Sequence, residues 1–132
     1  MAIGLLLDTH IVVRWLKDPR KLSREQARVL EAAVRGMEPV ALSAISLLEI
    51  AVLASAGKLG LKAPLEELFE DLEIAVFRIL PLTCQVAAEA ASLGSLRDPA
   101  DRAIVATARV ERLRLVTSDQ RVIESKLVPV VV

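Results

Sequence analysis

Residues 3–7 form an unbroken apolar run that stops at Asp8. A run so short, closed by an acid, reads as a strand buried on both faces of a parallel sheet. Stretches 39–43, 75–80, 114–117 and 128–132 read as further strands, and helical segments fill most of the intervals. A helix over 9–16 turns Ile11, Val12, Trp15 and Leu16 inward and His10, Arg14 and Lys17 outward, and Pro19 closes it. Ser23-Arg24-Glu25-Gln26 is a capping box for a helix ending near Gly36. A third helix, apolar nearly all round, runs 46–56 with Gly57 as its stop, and Pro64 opens a fourth to about Leu72. Residues 83–93 are Ala-rich and helical, and Asp98-Pro99 starts a helix to about Glu111. Strands alternating with helices imply right-handed crossovers. The expected fold is α/β: a three-layer α/β/α sandwich around a central parallel sheet of four to five strands, as one domain over 1–132.

Composition narrows the setting. At 132 residues and 54% hydrophobic, the chain can bury a core without staples and is too apolar for disorder. One cysteine excludes a disulfide framework, and Cys84 reads as inert core in an apolar helix. The N-terminus lacks a basic segment ahead of its apolar run, and no stretch approaches the roughly 20 apolar residues of a membrane span. A reducing, cytoplasmic setting away from membranes is expected. Seventeen Lys and Arg balance seventeen Asp and Glu, so any steering of nucleic acid must be local.

Open parallel sheets bind ligands beyond the C-terminal ends of their strands, and four acids share that position. Asp8 ends the first strand. Glu49 lies in the first turn of the helix after the second strand, Asp101 in the first turn of the helix entered through Asp98-Pro99, and Asp119 follows the strand at 114–117. Each has a plain structural role open to it. Asp8 and Asp98 are plausible helix caps, Glu49 completes a capping box with Ser46, Asp101 suits a helix N-terminus, and Asp119 suits a turn. Two environments point further. Glu49 sits in a helix with little polar surface, and Asp101 shares a stripe with Ile104, Val105 and Ala108. Acids in such places are costly and raise one another's pKa. A divalent cation offsets both costs, and an oxygen-only donor set favours Mg²⁺, with Mn²⁺ as a substitute, over zinc. Such a site suits phosphoryl chemistry. There is no Walker-type loop, and the lone histidine, His10, reads as an exposed first-turn residue.

The segments carrying these acids resemble the PIN-domain ribonucleases, in particular VapC-type toxins of toxin–antitoxin pairs. The carriers are residues 5–10 (LLLDTH), 43–50 (SAISLLEI), 97–108 (RDPADRAIVATA) and 115–119 (LVTSD), in that order along the chain. The resemblance implies a Mg²⁺-dependent endoribonuclease whose catalytic and metal-binding residues are Asp8, Glu49, Asp101 and Asp119. It gives Thr9, Asp98, Thr117 and Ser118 supporting roles, with Asp98 capping its helix or orienting Arg102 and the two hydroxyls bonding around the last acid. It also implies a cognate antitoxin, a homodimer and an RNA substrate, a structured RNA such as tRNA being consistent with the 2% aromatic content. Arg14, Lys17 and Arg102 are the candidate RNA contacts, with Arg20, Lys21, Arg24 and Arg97 nearby. Ala51, Leu53, Leu59 and Leu61 offer apolar surface for a partner or simply core. The alternatives are a housekeeping RNA-processing nuclease of the same type, a phosphatase-like enzyme, and a non-catalytic acidic metal-binding domain.

Overall fold

The computed structural model describes residues 4–74 and 77–132. In chain order the elements are β1 (Leu5–Leu7), α1 (Thr9–Lys17), a 3-10 turn (Pro19–Lys21), α2 (Arg24–Arg35), β2 (Val40–Ser43), α3 (Ala44–Ser55), α4 (Leu65–Ile74), β3 (Phe77–Leu80), α5 (Cys84–Ala91), α6 (Pro99–Glu111), β4 (Arg114–Val116), α7 (Gln120–Ser125) and β5 (Val130–Val131). The strands form one sheet in the order β3-β2-β1-β4-β5, every neighbouring pair parallel. This is the expected three-layer α/β/α architecture. The start of the first run, at Ile3, and of the third, at Ala75 and Val76, lies outside the described residues.

The sheet explains why the strands read as continuous apolar runs. Leu5 and Leu7 of β1 face one core with Val40 and Leu42, under Ile11, Leu30, Ile50 and Leu72 of α1 to α4. Leu6 and Ala41 face the other, under Val86, Ile104, Val105 and Val122 of α5 to α7. A central strand with helices on both sides has no polar face to show.

Helix ends follow local chemistry, with informative departures. Ser23 and Gln26 form the capping box at α2. At α3, Gly57 takes φ +70° and the Lys58 N–H reaches back to the Leu53 carbonyl, the glycine-closed end anticipated there. The start of α3 differs from expectation. Ser43 caps it through Ile45 N, so the helix begins at Ala44 and Glu49 lies in its second turn rather than completing a box with Ser46. Both serines fit a cap pattern, and the earlier one directly ends β2. Two side-chain expectations, at Leu16 and Cys84, are also corrected, and of the two readings open at Leu53, Leu59 and Leu61 the core one holds. Leu16 is 40% exposed and Cys84 is exposed, because α1 and α5 each bury only one flank. Leu59 is buried, and Leu53 and Leu61 pack on the core, whereas Leu48 and Val52 are the exposed apolar residues of α3.

Candidate active site

The four acids come from four separate segments and line one cavity of about 390 Å³. Asp8 leaves the end of β1 and caps α1, its Oδ1 accepting from Thr9 N at 2.9 Å. Its Oδ2 accepts from Thr117 Oγ1 at 2.7 Å, and the carboxylate is buried. Glu49 is held by Thr9, whose hydroxyl donates to Oε1 at 2.5 Å and lies 2.8 Å from Ser46 Oγ. Ser46 is fully buried, and its hydroxyl packs against that of Thr9 rather than capping α3. Asp119 caps α7 through Arg121 N at 2.9 Å. Its own N–H donates to Thr117 Oγ1 at 3.1 Å, so one buried hydroxyl ties two of the acids together.

The acids of the cavity differ in how far their charge is compensated. Burial pushes the Asp101 carboxyl up to about 6, helped by the charges of Asp98, Asp8 and Asp119 and opposed by Arg121. Burial also raises Glu49, with Asp8 and Asp98 adding to it and the Thr9 hydrogen bond working against it. Burial alone would raise Asp119, but its hydrogen bonds to Arg121 and that residue's charge hold it below the ordinary value.

His10 is not the free surface residue expected. Its side chain is 32% exposed, and it lines the cavity. Nε2 accepts from Ser118 N at 2.9 Å, so the proton of the neutral ring sits on Nδ1, 3.7 Å from Asp8 Oδ2. Burial lowers its pKa, against the pull of Asp8. Gln26 was also missed as anything beyond a cap. It is fully buried, its Oε1 accepts from Ser23 N, and its Nε2 donates to Thr117 O at 3.3 Å and Ser118 Oγ at 3.0 Å. It anchors the turn carrying Asp119 to α2. Gln26→Leu is expected to cost about 1–3 kcal/mol in chemical denaturation, because buried partners are left unpaired. An unchanged midpoint would show the anchor to be dispensable.

The candidate cations divide. Arg14 lines the cavity and donates to Ser118 Oγ at 3.3 Å, and Lys21 joins it there. Lys17 lines a neighbouring cavity with Gly60 and Lys62. The half-buried Arg102 spends its Nε on the Leu96 carbonyl, which closes the loop before α6 rather than facing the acids. Asp98 caps α6 through Ala100 N at 2.8 Å and makes no side-chain bond to Arg102.

Among the described residues, no three His, Cys, Asp or Glu side chains come together closely enough to hold one ion as they stand. Asp8, Glu49 and Asp119 are each hydrogen-bonded to a hydroxyl, amide or guanidinium partner, and Asp101 lies 3.7 Å from the Arg121 guanidinium. The donor set itself, four carboxylates on one cavity without a thiol, suits a hard divalent cation.

Comparison with known proteins bears on this geometry. The family pattern described as PIN domain matches residues 5–126. The chain belongs to the PIN-domain family. Within that family the resemblance to VapC-type members holds too: this PIN domain is 38% identical over 119 residues to Ribonuclease VapC22 of Mycobacterium tuberculosis, covering 89% of this chain and 88% of that protein. Its fold is similar to FitAcB from Neisseria gonorrhoeae, with a TM-score of 0.70 and 28% identity over 96% of this chain and 95% of that one. It is also similar, in fold alone, to VapBC2 from Rickettsia felis bound to a DNA fragment from its promoter, with a TM-score of 0.72 and 17% identity over 98% of each chain.

Proposed function

We propose that this PIN domain is a metal-dependent endoribonuclease acting as the toxin of a toxin–antitoxin pair, with Asp8, Glu49, Asp101 and Asp119 as its metal-binding and catalytic acids. One observation carries the chemistry: those four side chains, spread over 112 positions of sequence, line a single cavity. The name of the mycobacterial relative supports RNA as the substrate. Mg²⁺, or Mn²⁺ in its place, would supply Lewis-acid activation of water and neutralise charge building on the phosphate. The protein's own residues prepare for this. Thr117 and Thr9 orient Asp8 and Glu49, and Thr117 also positions the backbone of Asp119. Arg14 and Lys21 give the cavity positive charge for the RNA backbone, a role that Lys17 and Arg102 are less well placed to share.

That one protein of similar fold was solved as a toxin–antitoxin complex, from Klebsiella pneumoniae, supports an antitoxin partner. A homodimer is part of the same proposal, and the 59% and 57% exposure of Leu48 and Val52 supplies apolar surface for it. Among the described residues, no helix is long and apolar enough to cross a membrane.

Purified protein incubated with total RNA is expected to cleave it with Mg²⁺, to stop in EDTA, and to recover with Mg²⁺ or Mn²⁺ added back. Cleavage indifferent to EDTA would remove the metal from this reading. Expression is expected to arrest growth, with relief when the product of the adjacent reading frame is supplied. Normal growth alongside active nuclease would favour the housekeeping role.

A further inference from the structure

The four acids are not neutralised alike. Asp8 and Glu49 are held by neutral hydroxyls, those of Thr117 and Thr9. Asp101 and Asp119 are bridged by a cation. The Arg121 guanidinium places Nη2 at 3.1 Å from Asp119 Oδ2 and 3.7 Å from Asp101 Oδ2, with Nε 3.3 Å from Asp119 Oδ1. Its side chain is 74% exposed, so it can swing into solvent without disturbing the core. The carboxylates it bridges are only 15% and 19% exposed and cannot leave with it.

A hard dication needs oxygens at about 2.0–2.1 Å and a shell of water around its remaining positions. A guanidinium forked onto one carboxylate and within ion-pair distance of the second competes for those lone pairs and repels the ion. Accepting the acids as a metal site, as proposed above, we propose that Arg121 is the internal counter-ion of the metal-free site and must be displaced when the divalent cation enters. It thereby lowers the affinity of the site for metal and keeps Asp101 and Asp119 partnered in its absence.

Direct competition differs from the diffuse repulsion any nearby cation exerts. Arg14 lines the same cavity but bonds to Ser118 rather than to an acid, and serves as the reference for diffuse repulsion. Titration calorimetry with Mn²⁺ on metal-free wild type, Arg121→Gln and Arg14→Gln tests the difference. Arg121→Gln is expected to bind Mn²⁺ about two- to fivefold more tightly than wild type, the scale of one exposed ion pair. Arg14→Gln is expected to gain clearly less. In EDTA, Arg121→Gln is expected to melt below wild type, with the gap closing in saturating Mn²⁺. Unchanged or weaker Mn²⁺ binding by Arg121→Gln, or an equal gain in Arg14→Gln, overturns the inference and leaves the metal site standing. No Mn²⁺ uptake by wild type overturns the metal site and the inference together.

Discussion

Asp101→Asn is expected to reduce RNA cleavage on the order of a thousandfold and, at the same time, to make the metal-free protein more stable at pH 7. The two effects share one cause. Asp101 is mostly buried, with Asp98, Asp8 and Asp119 close enough for their charges to oppose its ionisation, so its carboxyl is pushed up to about 6. At pH 7 it is ionised against the preference of its surroundings. An amide of the same shape removes that charge without opening a cavity, which favours the fold. The same change removes a carboxylate from the metal-binding set, and metal-held charge is worth several kcal/mol in a phosphodiester transition state. The pH dependence identifies the group. An acid whose folded pKa exceeds its unfolded value binds more protons folded than unfolded, so its contribution to stability falls as pH rises from about 4 to about 6. His10 works in the opposite direction over part of that range, because its lowered pKa destabilises the fold as the pH drops. Comparing variant with wild type at each pH cancels His10 to first order. The advantage of Asp101→Asn in thermal melts with EDTA should be full at pH 7 and nearly absent by pH 4. Cleavage within threefold of wild type would remove Asp101 from the catalytic set, and a stability advantage independent of pH would deny it the raised pKa.

What could be read in advance followed from the physics of burial. Leu5, Leu6 and Leu7 had to be apolar because the sheet is covered on both sides, and that made β1 and its neighbours visible. The acids were visible because chain topology, rather than any local pattern, sets the C-terminal rim of a parallel sheet. Contacts between distant residues left no trace in any window of sequence: Thr117 to Asp8 spans 109 positions, and Gln26 to Ser118 spans 92. His10 fits the polar face of α1 by spacing, and only the fold reveals that this face meets the turn after β4. Helix α7 escaped notice because six residues are too few for a period to emerge, and Val122 is its one fully buried side chain among Gln120, Arg121, Glu124 and Ser125. Arg121 was missed with it. Misplaced burial has a similar origin. A helix that buries only one flank, such as α5, leaves apolar-looking residues such as Cys84 outside.

Thr117→Val tests whether the site depends on hydroxyls buried beneath it. The Thr117 side chain is inaccessible to solvent, and its Oγ1 donates to Asp8 Oδ2 at 2.7 Å while accepting from Asp119 N at 3.1 Å. Valine has nearly the same shape and fills the same space, so the change removes two hydrogen bonds and little packing. The loss falls on a buried carboxylate and a backbone amide that have no other donor or acceptor supplied by that side chain. A cost of about 1–3 kcal/mol is expected in chemical denaturation, because bonds to charged groups are stronger than neutral ones and unpaired buried groups are expensive. Function should suffer more than stability. With its second oxygen released, Asp8 can rotate away from the other acids, and outer partners of metal-binding carboxylates are typically worth about 10–100-fold in metal affinity or activity. Mn²⁺ affinity and the rate of RNA cleavage are therefore expected to fall together over that range in protein that remains folded. Thr117→Ser keeps the hydroxyl and gives up a methyl group, so it should recover most of the Mn²⁺ affinity despite a small packing loss. If the serine variant is as impaired as the valine variant, the methyl contact and not the hydroxyl relay holds Asp8 and Asp119 in place.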